Sequence, residues 1–190
     1  ADAPPAVEAG AGAATPGAGA GPGDASVEDV PAAAALPRAE DQVRMTKINY
    51  ASEEQGANIL ETVKQAKGSS NLLVRHKDKY CITPCEDKLS IVIQLSEDIE
   101  MRKFVLANYE KYSSTVKDLE VFGSSKYPTD KWNHLGNFTA QADVQEQEFE
   151  LRAWVRYLKF NFLSHHGHEY YCTLSQIRVH GATALATAQD

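Results

Sequence analysis

Three groups of residues could do chemistry. Cys81, Cys85 and Cys172 supply three thiols, enough for one disulfide with one sulfur left over. Asn137-Phe138-Thr139 is an acceptor for N-glycosylation, because its middle residue is not proline. Both features fit an oxidising lumenal or extracellular compartment, where disulfides persist. Buried thiols packing as small apolar groups are the alternative for the sulfurs. The third group is His165, His166 and His168, with Glu169 beside them. Zinc needs ligands that converge, and neighbouring residues on an extended segment point to opposite sides. The expectation is therefore no metal, and a polar, ligand-facing loop that turns at Gly167.

Catalysis finds little support. Ser, His and Asp are present, but there is no Gly-x-Ser-x-Gly elbow, no phosphate loop and no His-Glu-x-x-His helix. The expectation is a binding protein and not an enzyme. With a formal net charge of -7 and no broad basic surface, nucleic acid is not an expected partner. No apolar run is long enough to span a bilayer as a helix, so membrane attachment is expected only through segments outside this chain. Tyr109, Tyr112, Tyr170 and Tyr171 fall at expected strand ends and loops, where tyrosine offers both area and a hydroxyl. With His165, His166 and His168 they are the expected partner-binding residues. Trp132 and Trp154 each begin a strand pattern and are expected in the core or at its edge.

The elements that must hold these residues are strands. Leu89, Ile91, Ile93 and Leu95 alternate, as one face of a strand requires. Further β-prone runs cover residues 104–109, 118–122, 132–138, 147–151, 154–163 and 177–180, with a short strand expected at 72–74. Turn signals separate them and no amphipathic helices intervene, which points to an all-β sandwich. Residues 1–45 are rich in Ala, Gly and Pro and contain no aromatic residue, so a disordered tail or linker is expected there. Residues 46–181 would form the domain, and residues 182–190 a flexible C-terminal tail.

Several motifs resemble those of SUN domains. Asn49-Tyr50-Ala51-Ser52 followed by Gly56-Ala57-Asn58-Ile59-Leu60 is similar to the opening of that family. Ser114 through Gly123 resembles its "PKDF-V-G" strand, Leu135-Gly136-Asn137-Phe138 its "LG-F" step, and Gly167 through Gly181 its "GH-EY-C … RVHG" ending. Asn108-Tyr109-Glu110, Tyr127-Pro128-Thr129 and Leu163-Ser164-His165 look most like the branch of endoplasmic-reticulum membrane proteins related to yeast Slp and animal osteopotentia-type proteins.

The resemblance implies a galactose-binding-type jelly roll and a disulfide between Cys85 and Cys172. In the chain-entropy estimate, closing a loop of roughly ninety residues adds about 4 to 5 kcal/mol of stability. Cys81 would then be free. It also implies a protein partner or client in an endoplasmic-reticulum or perinuclear membrane complex. A monovalent cation bound after the first cysteine would find Glu86 and Asp87 nearby. Nuclear-envelope members clamp a partner peptide with a long hairpin lid and use a tyrosine two positions beyond the late cysteine. Here residues 73–85 leave little room for a lid, and that position is Leu174. A carbohydrate-binding module, the role of related jelly rolls, and a structural subunit of a larger assembly are the alternative functions.

Overall fold

The alternation at residues 89–95 becomes a strand because one of its faces finds a core: Leu89, Ile91, Ile93 and Leu95 are all buried. The computed structural model describes residues 48–187, so the expected tail at 1–45 lies outside the described residues. The strands are β1 (Asn58–Thr62), β2 (Cys81–Pro84), β3 (Ser90–Ala107), β4 (Ser114–Val116), β5 (Asp118–Ser124), β6 (Asn133–Thr139), β7 (Glu146–Phe162), β8 (His165–His166), β9 (Tyr171–Leu174) and β10 (Gln176–Thr183). A short helix, α1 (Ala184–Thr187), follows. One sheet has the order β1-β3-β7-β5-β6, with β10 also paired to β3; the other has the order β2-β9-β4-β8. The chain is thus an all-β jelly-roll sandwich, as expected.

Two pairs of expected strands are each one long strand. β3 joins the runs at 89–95 and 104–109, and β7 joins those at 147–151 and 154–163. The alternation changes phase inside both. In β3 the inward positions are odd through Met101 and even from Phe104, and both neighbouring ladders shift register between Met101 and Lys103 or opposite it. In β7 they pass from odd at Val155 to even at Leu158. A register irregularity lets a strand continue while its side chains swap faces, so an alternation test sees two strands where the backbone makes one. The same phase explains Trp154, expected in or at the core: it occupies an outward position of β7 and is 52% exposed. Trp132 is half-buried, with the Lys159 ammonium 5.9 Å from its ring centroid.

Other differences are local. Residues 72–74 do not form a strand; Ser69–Leu73 is a 3-10 turn that buries Leu72 and Leu73. It begins at Gly68, and the Asn71 side-chain amide donates to the Tyr80 carbonyl at 3.1 Å. β10 runs on past Gly181 to Thr183, and residues 184–187 are helical, so the first six residues of the expected C-terminal tail carry regular structure.

The opening and closing motifs meet. The Asn49 side-chain carbonyl accepts from the amides of Ala51 and Val179, both at 3.0 Å, and the Tyr50 backbone bridges β10 and β3 by bonding Val179 and Ser96. At Gly181 an added Cβ would lie 2.1 Å from the Glu100 carbonyl oxygen, a clash with backbone that only glycine avoids. On the larger sheet Phe104 of β3 is fully buried against Phe138 of β6 and Phe149 and Phe160 of β7, with ring centroids 4.9 to 5.5 Å from its own. Complete burial of a phenylalanine is worth about 1.5 to 3 kcal/mol before any aromatic preference. Phe104→Ala should therefore cost about 3 to 5 kcal/mol, cavity included. Urea unfolding checks this; a loss below about 1 kcal/mol would mean that Phe104 is not the centre of the core.

Candidate functional site

At one end of the sandwich, two connections that carry most of the candidate residues come together. The first links β3 to β4. Asn108 sits where β3 stops, and its side-chain oxygen accepts the Glu110 amide at 3.1 Å, bending the chain out of the sheet. Its side-chain amide donates to the Thr173 carbonyl at 3.0 Å, and the Tyr109 amide donates to the Ser175 hydroxyl at 2.9 Å. The Ser113 and Thr173 hydroxyls are also bonded. The turn is thereby tied to β9 and the residue after it. The Glu110 carboxylate accepts the amides of Lys111 and Tyr112, both at 3.0 Å, and holds the tip. Tyr112 is left 90% exposed on a backbone with little freedom.

The second connection links β8 to β9. Gly167 has φ 86°, a left-handed conformation that suits glycine, and a Cβ there would come within 2.9 Å of the Ser114 hydroxyl. That hydroxyl accepts the Glu169 amide at 3.0 Å, locking the second loop onto the start of β4. Between them lies an open groove bordered by Tyr109, Tyr112, His166 and His168, with a third wall from residues 142–145.

The expected residues divide. Tyr109, Tyr112, His166 and His168 border this groove. Tyr170 and Tyr171, 61% and 48% exposed, stand beside it next to Cys85, whose amide bonds the Tyr170 carbonyl. Their rings meet edge to face at 4.8 Å. His165 points elsewhere, with a ring nitrogen within 4.8 Å of the Cys85 and Cys172 sulfurs. His166 Nε2 donates to the Ala140 carbonyl at 2.7 Å. His165 and His166 point to opposite sides because β8 alternates, as any strand does, while His168 follows on the loop beyond Gly167 and borders the same groove as His166. Residues 142–145, with half-exposed Val144, were not anticipated; the polar run gave no signal beyond a turn.

Cys85 and Cys172 are bonded, with Cα atoms 5.0 Å apart across 87 residues of sequence. The bond ties the turn after β2 to β9, beneath Tyr170 and Tyr171. Cys81 is free and buried. Burial pushes its thiol up to about 11, partly offset by the neighbouring Thr83 hydroxyl, so it is a neutral, unreactive thiol near pH 7. Leu174, directly across from Cys81 in the β2–β9 ladder, is also buried. Glu86 is exposed and Asp87 half-buried on the turn after Cys85, and neither belongs to a converging set of ligands among the described residues.

Two carboxylates secure the surrounding frame. Asp118 accepts the Thr139 hydroxyl and the Ser164 hydroxyl, both at 2.7 Å, and these bonds hold its carboxyl below the ordinary range. Glu146 is hydrogen-bonded by the Tyr109 hydroxyl and paired with Arg178 at 3.3 Å; those partners likewise lower its pKa. Burial, followed by the bond to Glu146, raises the pKa of Tyr109. Asn137 lies on β6, within the β-prone run expected at 132–138; β6 is an edge strand and the Asn137 side chain is exposed, accepting a bond from His134 Nε2 at 2.8 Å.

Comparison with known proteins agrees with this architecture. The family model described as Sad1/UNC-like C-terminal matches residues 62–183. SUN domain-containing protein 4 of Arabidopsis thaliana is 50% identical over 141 residues, 72% of this chain and 24% of that protein. The SUN domain-containing ossification factor of Homo sapiens is 40% identical over 161 residues, 80% of this chain and 13% of that protein. The chain therefore spans a quarter or less of the length of these relatives. Among solved structures, a putative chitobiase fragment from Bacteroides thetaiotaomicron superposes with a TM-score of 0.60 at 13% identity, covering 72% of this chain and 92% of that one. The family 32 carbohydrate-binding module of Clostridium perfringens NanJ, solved with galactose, gives 0.54 at 8% identity, covering 69% and 97%. At such identities the likeness concerns fold alone.

Replacing both Cys85 and Cys172 by serine should lower unfolding free energy by about 4 to 5 kcal/mol, through release of the long loop in the unfolded chain. Denaturant titration of the double variant beside the oxidised parent measures it. Equal stability of oxidised parent and variant would show that the bond does not hold the domain together.

Proposed function

Because the chain belongs to the Sad1/UNC-like C-terminal family, the SUN domains, we propose that it is a non-catalytic interaction domain that binds a protein partner or client in the lumen of the endoplasmic reticulum or the perinuclear space, as part of a membrane complex. The observation that carries this reading is the rim. Two loops some sixty residues apart in sequence are bonded into one surface, and that surface presents Tyr112, Tyr170, Tyr171 and His168 to solvent. Exposed tyrosines on a rigid base suit protein recognition, since each supplies contact area with few rotatable bonds to freeze. The Cys85–Cys172 bond and the acceptor at Asn137 support the lumenal setting.

The mode of binding would differ from the lid-and-carboxylate clamp of nuclear-envelope members. The connection between β1 and β2 holds a 3-10 turn and a tight loop in place of a hairpin, and Leu174 points into the core where a pocket tyrosine would have to reach the surface. Recognition would rest on the tyrosine rim.

Tyr112→Ala and Tyr170→Ala should each weaken capture of the native membrane partner by about 1 to 2 kcal/mol while leaving the melting temperature nearly unchanged, because neither ring supports the core. Affinity capture from native membranes with the folded double variant reads this directly, and undiminished capture would place the site elsewhere. A glycan array run on the same protein tests the carbohydrate alternative: reproducible binding to one sugar class would replace the protein-partner reading.

A chain that passes through the secretory pathway should also carry a glycan at Asn137, whose side chain is open to solvent. Glycosidase treatment should increase gel mobility, and Asn137→Gln should abolish the shift. Equal mobility with and without the enzyme would count against both the modification and the lumenal route.

A further inference from the structure

The connection between β1 and β2 has a charge opposite to that of the chain. Residues 63–80 contain Lys64, Lys67, Arg75, Lys77 and Lys79 against the single carboxylate of Asp78, a net charge of +4 within a chain of -7. All five cations are exposed, and among the described residues none of them forms a salt bridge. Asp78 within the segment and Glu146, whose carboxylate Lys77 helps to stabilise, offset only part of this charge. The excess makes the segment a region where an acidic molecule would be attracted and not repelled.

The loop is also fixed in place. Its base is set by buried Leu72 and Leu73, and the Gln176 side chain donates to the Val74 carbonyl at 3.4 Å. Within it, the Asp78 amide donates to His76 Nδ1 and the Lys79 amide to the His76 carbonyl, both at 3.2 Å. The Lys77 ammonium stands 5.4 Å from the Tyr109 ring centroid, close enough for a cation–π contact. Such a loop presents its charges without first having to be ordered, which lowers the entropic cost of binding.

Beside the loop runs a groove of about 900 Å³. Arg75, His76 and Lys77 form one wall, Ile48, 38% exposed, contributes apolar surface above buried Leu73, and Arg178 of β10 lies along it. Two carboxylates also border the groove. Glu146 is already occupied by Tyr109 and Arg178, and Glu54 lines the groove opposite three cations, Arg75, Lys77 and Arg178.

We propose that this groove, between the 75–79 loop and β10, docks an extended acidic protein segment that carries an apolar residue. The acidic groups would meet Arg75 and Lys77, and the apolar residue would rest on Ile48. A concave site with apolar surface favours a chain segment over a lipid surface, which calls for a flat or protruding contact; the 75–79 loop carries no apolar side chain to insert into a bilayer. The inference rests on charge and shape; the groove shares Tyr109 with the rim but none of its exposed tyrosines.

The test is fluorescence anisotropy of the full chain with a labelled synthetic peptide of alternating glutamate and serine around a central leucine. Saturable binding is expected, weakened about tenfold by Arg75→Glu with Lys77→Glu and by raising salt from about 0.05 to about 0.3 M. Lys126→Glu with Lys131→Glu, reversed at exposed positions in another connection, should leave binding unchanged, as should Tyr112→Ala. Amide shifts at 75–79, Ile48 and Arg178 should move on titration. The same peptide with lysine for glutamate should not bind. If the double reversal perturbs the fold, Lys77→Gln read by its reduced salt dependence serves instead. Absent binding, binding indifferent to the charge reversal, or charge-dependent binding to phosphatidylserine vesicles without binding to the peptide would each overturn the proposal.

Discussion

The antiparallel pairing of β3 with β7 is the constraint on which the rest of the structure depends. These two strands, eighteen and seventeen residues long, pair from Ser90–Asn161 at one end to Ala107–Glu146 at the other. β1 and β10 share the other side of β3, and β5 adds to the second half of β7 and carries β6. Every strand of the larger sheet is therefore placed by one ladder. Its irregularities matter as much as its length. Where the inward phase switches, the sheet can stay covered on one face while its direction changes, and Phe104 and Phe160 enter the same core from either side of the breaks.

The second sheet is small and depends on anchors more than on length. β4, β8 and β9 have three, two and four residues. Strands so short contribute few ladder bonds, and the side-chain ties of Asn108, Ser114 and Thr173 together with the Cys85–Cys172 bond supply the remaining order. This division separates stability from recognition. The long ladder and aromatic core hold the domain, so the connections at the rim can carry exposed tyrosines without any demand that they pack.

The same logic applies to the β1–β2 connection. In a family where that connection is elaborated into a lid, a short version anchored by Leu72 and Leu73 leaves a cationic loop beside a groove. The rim and the groove meet at Tyr109, whose hydroxyl bonds Glu146 and whose ring receives Lys77. A change at that residue would touch both surfaces, whereas Tyr112 and Arg75 each belong to one.

Much of this was legible in the amino-acid order, for reasons that are local. Alternation at residues 89–95 and 158–162, turn residues between the runs, and the motifs around Asn49, Asp118, Gly167 and Gly181 determined the all-β sandwich and its family. The Cys85–Cys172 bond followed from the resemblance alone. What the order of residues could not show was decided between elements distant in the chain. Whether two β-prone runs are one strand depends on whether a neighbouring ladder bridges the phase break. Which side of β7 carries Trp154 depends on that phase, and which way His165 and His166 point depends on a two-residue strand that exists only because β4 pairs with it. The cationic loop was visible as composition, but its groove was not, because the opposing surfaces come from residues 48–55 and from β10, and only the closed sandwich brings chain segments more than a hundred residues apart into one cleft.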